Sequence, residues 1–192
     1  MRFYLIIYFI PLQIQRPQRF AIMIAPALLA ILILFVTKRG RRFIDSLSPV
    51  ILTQLHMVRI FVEIILYWLF LYKYIPRLMT FEGRNFDILA GLSAPVITYF
   101  GFVKHKLSKK FMIFWNIIGL LSLLNIVINA ILSAPFPFQQ FAFSQPNIAV
   151  LYFPFVWLPS FIVPVVLFSH LVLIRQLSKT KLTFHGKPNN VL

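Results

Sequence analysis

The sequence predicts an all-α, polytopic transmembrane bundle of about five spans, preceded by a short N-terminal interfacial or re-entrant helix. Three observations predict it. The chain is 60% hydrophobic and 12% charged, with a mean hydropathy of +0.85, whereas soluble domains carry about 25% charged residues. Its apolar residues gather into continuous runs of about 17–25, the length needed to cross hydrocarbon as a helix. Short basic clusters follow alternate runs: Lys38-Arg39-Gly40-Arg41-Arg42, then Lys104 to Lys110, then the tail from Arg175. Lipid offers the backbone no hydrogen-bond partners, so continuous apolar runs must be helical; a membrane β-barrel would show short alternating segments instead.

Residues 1–192 are read as a single transmembrane helical domain, because no stretch is long and polar enough to fold separately. The run from Phe3 to Ile10 is too short to cross as a straight helix. It resembles the start of a signal peptide, but Pro11, Gln13, Gln15, Arg16 and Pro17 follow where a small-x-small cleavage site would stand. Residues 1–19 are therefore expected to be retained as an interfacial or partial span; a crossing by residues 3–14 is the alternative. Spans are expected near 20–36, 50–72, 86–103, 111–132 and 150–174, with 175–192 as a basic cytoplasmic tail. The connection 133–149, with Pro135, Pro137 and Pro146 among its phenylalanines, is expected to lie flat on the outer interface.

Orientation follows from counting Lys and Arg in the connections. The loops 37–49 and 104–110 and the tail from 175 fall on one side and hold twelve; the other side holds six, and its last loop holds no charge. The positive-inside rule then places the C-terminus in the cytoplasm and, with five spans, the N-terminus outside. The net charge of +15 would suggest nucleic acid in a soluble protein. Here the basic residues border apolar runs, so anionic lipids of the bilayer are the expected partner, with no nucleic acid.

The second span is where sequence and lipid conflict most. It carries His56, Arg59 and Glu63 between long apolar stretches. A charge near the bilayer centre costs at least about 2.5–3.5 kcal/mol. Arg59 and Glu63 stand four residues apart, on one helix face, and are expected to pair there. Two readings stay open: a proton or cation carrier with its counter-charge, or a neutralised staple that fixes helix register. His170, near the end of the last span, is expected at the depth of His56. Facing histidines could hold haem or a metal, or one could snorkel while the other bonds Glu63.

In the fourth span Gly119, Ser122, Asn125, Asn129 and Ser133 form one small, polar stripe, suited to close helix contact or to a hydrophilic path. Trp115 and Asn116 read as an interfacial anchor. Asn85 or Asp87 is expected to cap the third span on its extracytoplasmic side, or to bind a ligand there. Pro154, Pro159 and Pro164 recur every five residues in the last span and predict a kinked or broken helix.

The segments FEGRNFDILAGLSAP, FWNIIGLLSLLN and LPSFIVPVVLFSHLVLIRQL carry a resemblance. On Asp87, Gly91, Trp115, Asn116, Gly119, Pro159, Pro164 and His170, roughly over residues 50–177, the chain resembles an uncharacterised family of small bacterial multi-pass membrane proteins. The resemblance implies fold and location in the bacterial inner membrane, and no mechanism. Members of that family often carry Asp where this chain has Ser122, so any acid–base role of that position would be absent here.

The chain contains no cysteine and no HExxH, GxSxG or nucleotide motif, which leaves no catalytic residue, metal ligand or cofactor to assign. The leading expectation is a non-enzymatic membrane subunit or interaction partner, joined to another membrane protein or to copies of itself. The alternative is a small proton-coupled permease using Arg59 and Glu63. A membrane redox or metal enzyme using His56 and His170 comes third.

Overall fold

A computed structural model describes residues 17–179; the expected N-terminal helix and the tail beyond 179 lie outside them. Among the described residues every regular element is helical. Four helices are long and apolar enough to cross a membrane: Pro17–Val36, Pro49–Leu71, Lys109–Ser133 and Leu158–Lys179. Large side chains such as Ile22, Leu32, Trp68 and Leu121 point outward from them, each more than half exposed. That is the surface expected against lipid.

The chain starts with α1 (Pro17–Val36) and turns into the short α2 (Lys38–Ser46). Thr37 caps α2 by accepting from the Gly40 N–H at 3.1 Å. Only glycine fits at position 40, because a Cβ there would stand 2.5 Å from the Leu34 carbonyl oxygen. The second long helix opens on Ser48-Pro49, a favoured helix start. It is broken at His56-Met57 into α3 (Pro49–Leu55) and α4 (Val58–Leu71). At the break the His56, Met57, Arg59 and Ile60 N–H groups reach back three residues instead of four. The Leu52 carbonyl, bypassed by that tightening, accepts the Ser169 hydroxyl from the last helix at 2.7 Å.

The expected span 86–103 is a shorter apolar helix, Asp87–Val103, built of α5 (Asp87–Ile97) and a closing π turn. It starts deep in the bundle. Asp87 lies beside Arg59, the eleventh residue of the 23-residue Pro49–Leu71 helix, and beside the level of Gly119 in α6 (Lys109–Ser133). Residues 72–86 descend to that level without forming a long helix. Irregular backbone in a membrane must be covered by protein, and Ile75, Met79, Thr80 and Asn85 of this stretch are buried. Asn125 donates to the Arg84 carbonyl at 2.7 Å, and the Ile148 and Ala149 N–H groups donate to Tyr74.

The connection after α6 is irregular and partly buried. It packs onto the bundle on one side, with Ala134, Phe136, Asn147, Val150 and Leu151 buried and Phe136 against Phe20 of α1, while Phe138 and Phe143 point outward. The last long helix begins at 158 instead of 150, because residues 149–151 form a separate 3-10 turn. It opens with a π turn (Leu158–Ile162) at Pro159 and continues as α7 (Val163–Lys179).

All three basic clusters meet at one end of the bundle. Asp45 of α2 accepts Arg175 at 2.9 Å and Lys179 at 2.7 Å, and Lys109 donates to the Ser178 carbonyl at 3.3 Å. The Arg175 and Lys179 hydrogen bonds hold the Asp45 carboxyl down to about 2, from an ordinary value of 3.8. A lowered acid contributes its stability above its ordinary value and loses it as pH falls toward its native one. The α2–α7 contact is therefore expected to hold at pH 5 and to loosen between about pH 4 and 2. Protection of α2 amide N–H groups in hydrogen exchange checks this, and Asp45→Asn should lower that protection at pH 5 and remove its acid dependence.

Candidate functional site

The break in the second long helix presents Arg59 to three neighbouring helices. Its side chain is 2% exposed. Nη1 donates to Asp87 Oδ1 at 3.2 Å, and both Nη atoms donate to the Gly119 carbonyl at 3.2–3.3 Å. Nη2 also meets His170 Nε2 at 2.9 Å. A guanidinium is a donor only, so His170 must accept at Nε2 and carry its proton on Nδ1. That N–H donates to Asn116 Oδ1 at 2.9 Å, while the Asn116 amide nitrogen donates to the Met112 carbonyl. The ring is neutral and its tautomer is set from both sides.

On the other flank Asn85 joins two acids. Its side-chain amide donates to Glu63 Oε1 and to the Met79 carbonyl, and its carbonyl oxygen accepts the Asp87 N–H at 3.1 Å. One continuous hydrogen-bonded cluster thus runs from Met112 through His170, Arg59 and Asp87 to Glu63. It ties together α4, α5, α6 and α7.

The cluster revises several expectations. The ion-pair partner of Arg59 is Asp87; Glu63, though on the same helix face, turns to Asn85. The position four residues on was the local choice, but the chain descent through 72–86 delivers a carboxylate opposite the guanidinium. Asn85 and Asp87 form no separate outer helix-start site: both are buried within the cluster. Asn85 does satisfy the first N–H of α5, so part of its capping role stands. Asn125 and Asn129 belong elsewhere. They bond each other at 3.1 Å, and Asn125 holds the descending loop. Asn116 is 2% exposed and is no interfacial anchor.

His56 and His170 do share one level, and both are fully buried, so neither snorkels. Their rings stack with centroids 3.9 Å apart and planes 22° from parallel. That stacking leaves no space for a haem between them, and neither His56 nitrogen bonds Glu63. Trp115 packs edge-on against His56 at 5.5 Å and donates to Ser93 at 2.9 Å. Among the described residues no three His, Cys, Asp or Glu side chains gather to hold a metal.

Asn85, Trp115, Asn116 and the Gly119 carbonyl are the members that spacing alone missed as one site. A signal for them existed: Asp87, Trp115, Asn116, Gly119 and His170 all carry the family resemblance, and all fall on this cluster. Two glycines admit it. A Cβ at Gly119 would stand 2.6 Å from His170 Cε1, and one at Gly91 would stand 2.9 Å from Ile60 Cγ1 and 3.3 Å from the His56 carbonyl.

Fold and site together define an all-helical protein with four helices suited to a membrane and an ionic cluster buried among them. Residues 17–178 match the family described as a domain of unknown function, DUF8737, and the chain belongs to that family. No curated protein and no solved structure matches it.

Proposed function

We propose that the protein is a non-enzymatic, multi-pass component of the bacterial inner membrane, acting as a subunit or interaction partner. The bacterial placement rests on the resemblance noted in the sequence. The four long helices cross, and the descent 72–86 with α5 makes a fifth crossing. The N-terminus lies outside; the basic end faces the cytoplasm and its anionic lipids. One observation carries the reading: both terminal nitrogens of Arg59 are committed to fixed partners on three other helices. A charge tied down in this way joins helices.

The chain has no cysteine, so single cysteines report topology directly. A membrane-impermeant maleimide is expected to label Phe143→Cys in intact cells and Arg39→Cys only after permeabilisation. In vivo cross-linking followed by native mass measurement should then find the chain in a stoichiometric assembly, with itself or with another membrane protein. Reversed labelling would overturn the orientation. A monomer that conducts protons in proteoliposomes, and loses that flux with Glu63→Gln, would overturn the subunit reading in favour of a permease.

A further inference from the structure

Beside the cluster lies a cavity of about 320 Å³. Phe20, Ile24 and Leu28 form one wall, four residues apart along α1; α4, α6 and the last long helix supply most of the rest, including Val127 and Val163, and the connections before α5 and after α6 complete it with Met79 and Val150. The wall is apolar except where Arg59, Glu63, Asn85 and Asp87 reach it, and these four are already bonded to one another. Polarity is therefore confined to one corner. Small-molecule sites have this character: roughly 300–1,000 Å³, mostly apolar, with a few converging polar groups.

The size indicates the chain and the corner indicates the head. An apolar cavity of about 150 Å³ accommodates benzene, so about twice that volume suits roughly a dozen carbons in extended form. At the corner two atoms of nearly fully buried side chains have no hydrogen-bond partner: Arg59 Nε and Glu63 Oε2. The first is a donor only, and the second is an acceptor only in the ionised form, which the Asn85 amide favours by donating to the other Glu63 oxygen. One group that satisfies both must accept one hydrogen bond and donate another. A hydroxyl does so. A carboxylate has no proton to give and would add a negative charge beside Glu63 and Asp87, whereas an ammonium cannot accept from Nε–H.

We infer that this cavity binds a single-chain amphiphile of about a dozen carbons ending in a hydroxyl, its chain against α1 and the last helix and its head between Arg59 and Glu63. The ligand class is that of lipid-derived alcohols. The inference goes beyond the subunit reading and stands or falls separately from it.

The test uses the full chain in lipid nanodiscs and a dodecan-1-ol probe carrying a diazirine in its chain. Cross-linking is expected on cavity residues of α6 and the last helix, such as Val127 and Val163. Dodecan-1-ol should displace the probe roughly tenfold better than dodecane or 1-methoxydodecane, since the ether accepts but cannot donate to Glu63. In Glu63→Leu the alcohol should lose its advantage over the ether, since both still accept from Arg59 Nε and neither has an acceptor to donate to, while cavity labelling persists. Labelling confined to outward residues such as Leu121 and Trp68, or equal displacement by all three in the native chain, would overturn the proposal. The native-chain series decides the matter even if the variant does not fold.

Discussion

Replacing Arg59 with Gln is expected to destabilise the protein by about 3–5 kcal/mol, the usual loss when one member of a buried ion pair is removed. Folded proteins have only about 5–15 kcal/mol to lose, so the variant should fall steeply in thermal midpoint and in yield. The cause is what remains behind. Asp87 keeps a buried carboxylate with no cation, and the Gly119 carbonyl and His170 Nε2 each lose a donor. Lysine should rescue poorly, because one ammonium cannot present a planar fork to a carboxylate, a carbonyl and an imidazole together. A second substitution identifies the counterion. Arg59→Gln with Asp87→Asn removes both charges of the pair and should recover most of the loss; Arg59→Gln with Glu63→Gln should recover less. Thermal midpoints of the native chain, the three single variants and the two double variants in one detergent measure the two couplings. Equal recovery from both pairs would show that Arg59 is not specifically matched to Asp87.

That choice of partner marks where the sequence stops being legible. The long helices can be read because each is a continuous apolar run, and the observed limits of three fall within a few residues of the expected ones. The buried charge on the second was equally plain, since lipid tolerates an arginine at that depth only in a polar interior. Its partner was not. Local helix geometry favours Glu63, four residues away, whereas the native contact joins residues 28 apart through a chain descent that no periodicity announces. Asp87 follows a turn-forming stretch and opens a helix, so it reads as a cap; only the tertiary fold moves that helix start from the surface to the level of Arg59. Asn116 misled in the same way. Next to Trp115, near the end of a span, it looks interfacial, yet helix rotation turns it inward onto His170. Gly119 is a point of close approach, one of the two uses its small, polar stripe suggests, although what approaches it is a side chain bound to the arginine.

Gly119→Ala is the smallest substitution expected to break the site. Elsewhere in a membrane helix the change would be neutral or slightly favourable, since alanine is the better helix former and small residues are tolerated at helix contacts. Here the added methyl would stand 2.6 Å from His170 Cε1 and 2.8 Å from Nε2. A clash with a flexible side-chain tip is relieved by rotation, but this ring cannot rotate away. Asn116 holds one nitrogen, Arg59 holds the other, and His56 covers its face. Overpacking a well-filled interior costs about 1–3 kcal/mol. The upper part of that range is expected, because shifting the ring also weakens the hydrogen bonds to a buried charge. Ile118→Ala, one residue away and half exposed on the outer face, should change stability by no more than about 0.5 kcal/mol, as outward substitutions usually do. The informative comparison is the same glycine change made in a His170→Ala background, where the space is vacated and the methyl should cost little. A glycine substitution that costs the same in both backgrounds would mean that the imidazole does not occupy the position described. The continuity of the cluster from Asn116 to Arg59 would then be lost.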